Sequence, residues 1–179
     1  MTRAALCGAA FLAAAQVALV AQAPDFSGTW KLDANRSRVT AAAGLTGLIA
    51  AGAPDILHVT QAANGTVIIE SQINESHARV YKPGGRITTP VTVGQAGSLT
   101  MTSRWDSRTL VSEGRRESAS GTITTVTELK EVLALGADRR TLTIEITTTA
   151  AGVTSASTLI YTKTQVVEPC QKWPTPCKK

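Results

Sequence analysis

The sequence predicts an all-β chain, an antiparallel up-and-down β-barrel of about 8–10 strands with a short helical lid after the first strand. Three observations predict it. Apolar and polar residues alternate over several segments, most clearly Leu142, Ile144 and Ile146 against Thr143, Glu145 and Thr147. Turn-forming pairs such as Asn64-Gly65 and Ala151-Gly152 recur at short intervals between those segments. A meander of that many strands normally removes its exposed edges by closing on itself.

Residues 1–23 read as a secretory signal peptide. Arg3 supplies the positive start, residues 9–20 form an apolar run interrupted only by Gln16, and Ala21-Gln22-Ala23 is a small-residue cleavage pattern. Pro24 is a poor residue just after a cut, so cleavage after Ala21 is the alternative to cleavage after Ala23. The uncharged stretch is Ala-rich and barely long enough for a membrane anchor. The expectation is a periplasmic or secreted protein with no integral membrane segment in the mature chain. Residues 24–166 then make the barrel domain and residues 167–179 a tail.

Residues 28–33 form the first strand. Between 34 and 54 the alternation gives way to Ala and Gly, and Leu45, Leu48 and Ile49 fall on one face of a helical turn. Gly44 and Gly47 each cost about 1 kcal/mol against Ala there, so the helix is short. Strands follow over 55–61, 66–73, 76–82, 86–93, 98–105, 108–113, 122–133, 141–149 and 154–164. The connections are Ala63-Asn64-Gly65, Pro83-Gly84-Gly85, Asp106-Ser107, Gly136-Ala137-Asp138 and Ala151-Gly152. Val67, Ile69 and Ile73 oppose Glu70 and Gln72, and Leu99, Met101 and Trp105 oppose Thr100, Thr102 and Arg104. Each strand thus offers one dry and one wet face. An outer-membrane barrel also alternates, but two Phe and two Tyr cannot build its aromatic girdles.

Charge and cysteine usage narrow the function classes. The 179-residue chain has a formal net charge of +5, which becomes +4 once Arg3 leaves with the signal. No basic stripe interleaved with aromatics is visible, so nucleic acid is not an expected partner. Cys7 lies within the signal, which leaves Cys170 and Cys177 as a pair in a proline-rich tail. In an oxidising compartment they are expected to close a small disulfide loop.

Phe26-Ser27-Gly28-Thr29-Trp30-Lys31-Leu32 resembles the first strand of calycins, the lipocalins and fatty-acid-binding proteins. The resemblance implies structural roles for Gly28 and for Trp30, whose indole plugs one end of the barrel. One strand, a helical lid and then hairpins is the layout of the fatty-acid-binding branch, which Ser103-Arg104-Trp105-Asp106 also resembles. In that branch an Arg-x-Tyr pair in the last strand often clamps a carboxylate; here Leu159 stands where the Arg would, two residues before Tyr161. The chain is also similar to a bacterial family of small exported proteins without an agreed activity. The matching stretches are the opening motif, residues 138–144 and Ile160-Tyr161-Thr162-Lys163.

Catalytic chemistry is not expected. His58 falls on the strand face opposite Leu57 and Val59, which predicts a solvent-facing or rim position, and His77 starts a strand. Neither has companions at metal-ligand spacing. Asp33, Asp55, Asp106 and Asp138 sit at strand ends or turns, and Glu70 and Glu145 lie on the wet phase. Arg79 and Arg104 are candidates for an anionic head group, each expected to point to water. No catalytic residue, metal or cofactor is assigned, and the chain is not read as an enzyme. The leading expectation is a lumen that binds a small apolar or amphipathic molecule. Met101, Trp105, Leu142, Ile144 and Tyr161 would line it, and Leu45, Leu48 and Ile49 would form the lid. The alternative is a filled barrel that serves as a cell-envelope interaction or structural module.

Overall fold

Alternation along the chain becomes ten strands: β1 (Gly28–Leu32), β2 (Ile56–Gln61), β3 (Val67–Ile73), β4 (Glu75–Tyr81), β5 (Gly85–Val91), β6 (Ala96–Asp106), β7 (Thr109–Ser120), β8 (Ile123–Leu135), β9 (Thr141–Ala150) and β10 (Val153–Thr164). The computed structural model describes residues 23–40, 53–73, 75–91 and 96–165. Every ladder is antiparallel, and the strands follow the order β4-β3-β2-β1-β10-β9-β8-β7-β6-β5. This is an up-and-down barrel, nearly closed. Among the described residues there is no helix. The expected lid residues Leu45, Leu48 and Ile49 lie outside them, as do Cys170, Cys177 and most of the signal segment.

Turn chemistry sets the hairpins. Asn64 Oδ1 accepts from Thr66 N (3.0 Å), and Gly65 takes the left-handed φ of 81° that its turn requires. Asp138 Oδ1 accepts from the backbone N–H of Arg140 (2.9 Å) and Thr141 (3.0 Å) and so fixes the β8–β9 connection. β7 runs well past the predicted end at residue 113. Residues 114–120 carry no apolar alternation, and what extends the strand is the ladder to β8, which continues to Ser120↔Ile123.

The sheet ends, β4 and β5, meet at a seam without a ladder of their own. Gly84 N–H donates to Ser103 O (2.8 Å), and Pro83 bridges to Ser103, so the connecting turn docks on β6. Pro90 sits in β5, an edge strand, where a residue without an N–H costs no ladder bond. On the far side of the barrel β1 pairs with β10 from Thr29↔Thr164 to Leu32↔Tyr161. After a turn at Asp33 the chain rejoins β10 through Arg38 and Thr158.

One apolar core fills the inner face. Trp30, Leu57, Val67, Ile69, Leu110, Leu133 and Leu142 are completely buried. The segment before β1 closes one end. Phe26 is buried and stacks on Trp105 with centroids 5.7 Å apart, and its carbonyl accepts from Trp30 Nε1 (2.9 Å). Gln61 clasps this segment: its Oε1 accepts from Phe26 N (3.0 Å) and its Nε2 donates to Pro24 O (3.1 Å). Gly28 has a φ of 135°, and a Cβ there would stand 2.7 Å from Lys163 Cε. Its missing side chain admits Lys163, whose ammonium lies 5.4 Å from the Trp30 ring centroid.

Strand parity does not fix exposure on the outer face. His58 and Glu70 are register partners there, as the alternation predicts, yet they are only 9% and 1% exposed. The period of two tells which face a residue takes, not what covers that face. Arg79 departs further from expectation: it points inward and is buried, because its partner carboxylate lies inside the barrel.

Candidate functional site

The inner face of β6–β10 is built in register rows. One row reads Trp105, Leu110, Leu133, Ile144 and Leu159, and is apolar throughout. The next reads Ser103, Ser112, Glu131, Ile146 and Ser157. The row beyond begins again with Met101, followed by Gly114, Leu129, Thr148 and Ser155. A largely polar belt, interrupted by Ile146 on β9, therefore crosses five strands between more apolar rows. All five of its residues are buried.

The belt's hydrogen bonds are specific. Ser103 Oγ and Ser112 Oγ lie 2.9 Å apart, and Ser157 Oγ accepts from Thr40 N (2.9 Å). Glu131 is 0% exposed, and its Oε1 accepts from Arg79 Nη2 at 2.8 Å. Arg79 comes from β4 and Glu131 from β8, walls six positions apart in the ladder order, so this ion pair spans the interior. Taking two charges out of water is expensive, and only good geometry and further hydrogen bonds repay it.

Tyr81 completes the cluster. It lies two residues after Arg79 on the same face of β4, and the guanidinium carbon sits 5.9 Å from its ring centroid. Burial, reinforced by the Glu131 charge, pushes the phenol well above the usual tyrosine value of 10.0, while Arg79 acts the other way. The Arg79 guanidinium is desolvated too, but Glu131 and Tyr81 outweigh that and hold its pKa above the ordinary arginine value. Both neighbours are thus close enough to act on the phenol electrostatically. Its OH lies within hydrogen-bonding reach of both Glu131 and Arg79, so the three side chains form one buried cluster.

The sequence-predicted lining residues lie around this belt. Met101, Leu142, Ile144 and Tyr161 are buried in the core cluster, and Trp105 is half-buried against it. Tyr161 OH donates to Pro54 O (3.0 Å), and burial together with the Asp55 charge raises its pKa. Sequence reasoning missed Tyr81, Glu131, Ser103 and Ser112. A signal existed for Glu131, which shares the period-two phase of Leu129 and Leu133. A carboxylate on a dry phase needs a buried cation, and Arg79, in phase with Tyr81, supplies it.

A concavity of about 530 Å³ lies on the outer face of β5–β8 beside Arg86, Thr100, Thr102, Glu113 and Arg115. Arg115 and Glu117 on its lining pair with one another (2.8 Å). Glu113 accepts from Arg104 (2.8 Å) and pairs with Lys130 (3.0 Å), and the Arg104 hydrogen bond holds its carboxyl below the usual range. Such exposed pairs contribute little to stability. Among the described residues no group of His, Cys, Asp and Glu could hold a metal ion, and no helix is long and apolar enough to cross a membrane. No protein-family model matches the chain, and no curated protein matches it.

Proposed function

We propose that this protein is an exported, lipocalin-like barrel that binds a small amphipathic molecule in its interior. The observation that carries the reading is the polar belt: the buried Arg79–Glu131 ion pair, Tyr81 and the buried Ser103, Ser112 and Ser157 stand within an apolar interior. A polar strip beside apolar rows suits the two ends of an amphipathic molecule. Met101, Trp105, Leu142, Ile144 and Tyr161 offer apolar surface to the rest of such a molecule. The test is titration of delipidated protein with a fluorescent apolar probe, fatty alcohols and fatty acids, with native mass spectrometry of the purified protein alongside. Micromolar or tighter binding supports the reading, and uniform absence of binding overturns it.

The filled-barrel reading, an envelope interaction or structural module, draws on the complete burial of large side chains such as Trp30, Phe26, Tyr81 and Tyr161. Its own test is co-purification of a stable partner from the periplasm. Export rests on residues 1–23, and N-terminal sequencing of secreted material checks it, with a start at Gln22 or Pro24 expected. The same export places Cys170 and Cys177 where they would form a disulfide, which a thiol titration of periplasmic protein tests.

A further inference from the structure

We propose that the end of the barrel closed by Phe26 is a docking surface for an anionic lipid bilayer, met through exposed arginines and lysines on separate turns. The proposal is independent of any interior ligand. In an up-and-down meander alternate connections share one end. The β4–β5, β6–β7 and β8–β9 turns and the last residues of β10 therefore lie together with the segment that precedes β1. They carry Lys82, Arg108, Arg139, Arg140 and Lys163, and all five are exposed. None of the five makes an ion pair among the described residues. The acidic residues at this end are Asp25, Asp106 and Asp138, so positive charge exceeds negative. Turns at the opposite end, residues 121–122 and 151–152, carry no charge.

Two of these cations are held against each other. Beyond Thr162↔Thr141 the β9–β10 register continues, with Lys163 N–H donating to Arg140 O (2.8 Å), so the two residues are cross-strand neighbours. Like charges directly opposite in a sheet are destabilising. Asp138 does not resolve the conflict: its carboxylate is committed to the backbone N–H groups of Arg140 and Thr141 and to the Thr141 hydroxyl. The Trp30 ring, 5.4 Å from the Lys163 ammonium, holds that side chain in place without removing its charge. Arg139 keeps a left-handed φ of 54°, where Asn or Gly is the easier residue. An anionic surface relieves the repulsion and gives this placement of charge a use. Cations spread over the tips of several turns match a plane of headgroup phosphates better than they match one small anion.

The test is flotation of the purified protein with vesicles of phosphatidylcholine alone and of phosphatidylcholine mixed with phosphatidylglycerol, in low and in high salt. Preference for the anionic vesicles, lost in high salt, is the expected result. Each Lys or Arg near such a surface strengthens partitioning about fivefold, so Arg140→Gln with Lys163→Gln should weaken it by about 25-fold. That variant is expected to melt no lower than wild type, because it relieves a repulsion. Arg108→Gln with Arg139→Asn leaves the Trp30 contact intact and should weaken partitioning by a similar factor. Ile123→Ser with Val153→Ser, at the opposite end, should leave it unchanged. Equal binding to neutral and anionic vesicles overturns the proposal, as does an anionic preference that both charge-removing variants retain. Absence of binding to anionic vesicles in low salt overturns it too. Release from the vesicles by millimolar glycerol phosphate at constant ionic strength would assign this end to a small anion, and also overturns it.

Discussion

At the scale of single residues, the barrel's only two tyrosines give a direct readout of its interior. Tyr81 and Tyr161 are both completely buried, and both have pKa values raised above 10.0, chiefly by burial. Because the folded-state values lie above the unfolded ones, the associated stability is fully present below pH 10 and is lost as pH climbs beyond it. Tyrosinate absorbance at 295 nm should therefore stay flat through pH 10 in the folded protein and rise together with unfolding. In denaturant both tyrosines should titrate near the ordinary value. An early rise in native protein would place one of the rings in water. The Arg79–Glu131 pair makes a second prediction. Glu131→Leu alone removes the countercharge of a buried guanidinium and should cost about 3–5 kcal/mol in urea unfolding. Adding Arg79→Met should restore most of it, and a double variant no more stable than the single one would show that the two charges are not coupled.

At the scale of elements, hairpins were the most legible feature of the sequence and strand lengths the least. Asn64-Gly65 and Asp138 announce their turns because local hydrogen bonds decide them. The far half of β7 is decided by its neighbours: Gly97 and Gly114 allow β6 and β7 to approach so closely that a Cβ at 114 would stand 1.9 Å from Thr100 O. No local pattern encodes such a contact. Gly114→Ala should accordingly destabilise the barrel by about 1–3 kcal/mol, the usual range for overpacking. The β9–β10 turn offers the opposite sign. Ala151 is held at a φ of 49° beside Gly152 at 79°, a left-handed pair that suits Asn-Gly far better than Ala-Gly. Ala151→Asn should raise stability by about 0.5–1 kcal/mol, read as a melting temperature higher by a few degrees. An unchanged or lower melting temperature would show that the turn stores no such strain.

At the scale of the whole molecule, the architecture was readable because one physical rule, a dry phase every second residue, repeats across the meander. The belt was not readable in the same way, since Glu131 and Arg79 lie 52 residues apart and only barrel closure brings them together. The inward placement of Met101, Leu142 and Ile144 was legible for the converse reason, that hydrophobic phase alone assigns them to the core. The belt also separates two roles that composition blurs. Apolar rows stabilise the closed sheet, whereas taking the buried charges out of water costs stability.

The pairing of β1 with β10 has a consequence in time. Thr29 meets Thr164 across almost the entire domain, so this ladder is the most non-local in the molecule. On the proposed export route the chain threads through a translocon from its N-terminus and delivers β10 last, and until then β1 has only β2 beside it. On that route closure cannot precede complete passage. The cost is a slow final step, on the order of milliseconds to seconds for sheet-rich, non-local topologies. Chains stopped at residue 152, lacking β10, should remain open along the edges of both β1 and β9 and associate through them, visible as large species in light scattering, whereas the full-length protein refolds as a single species.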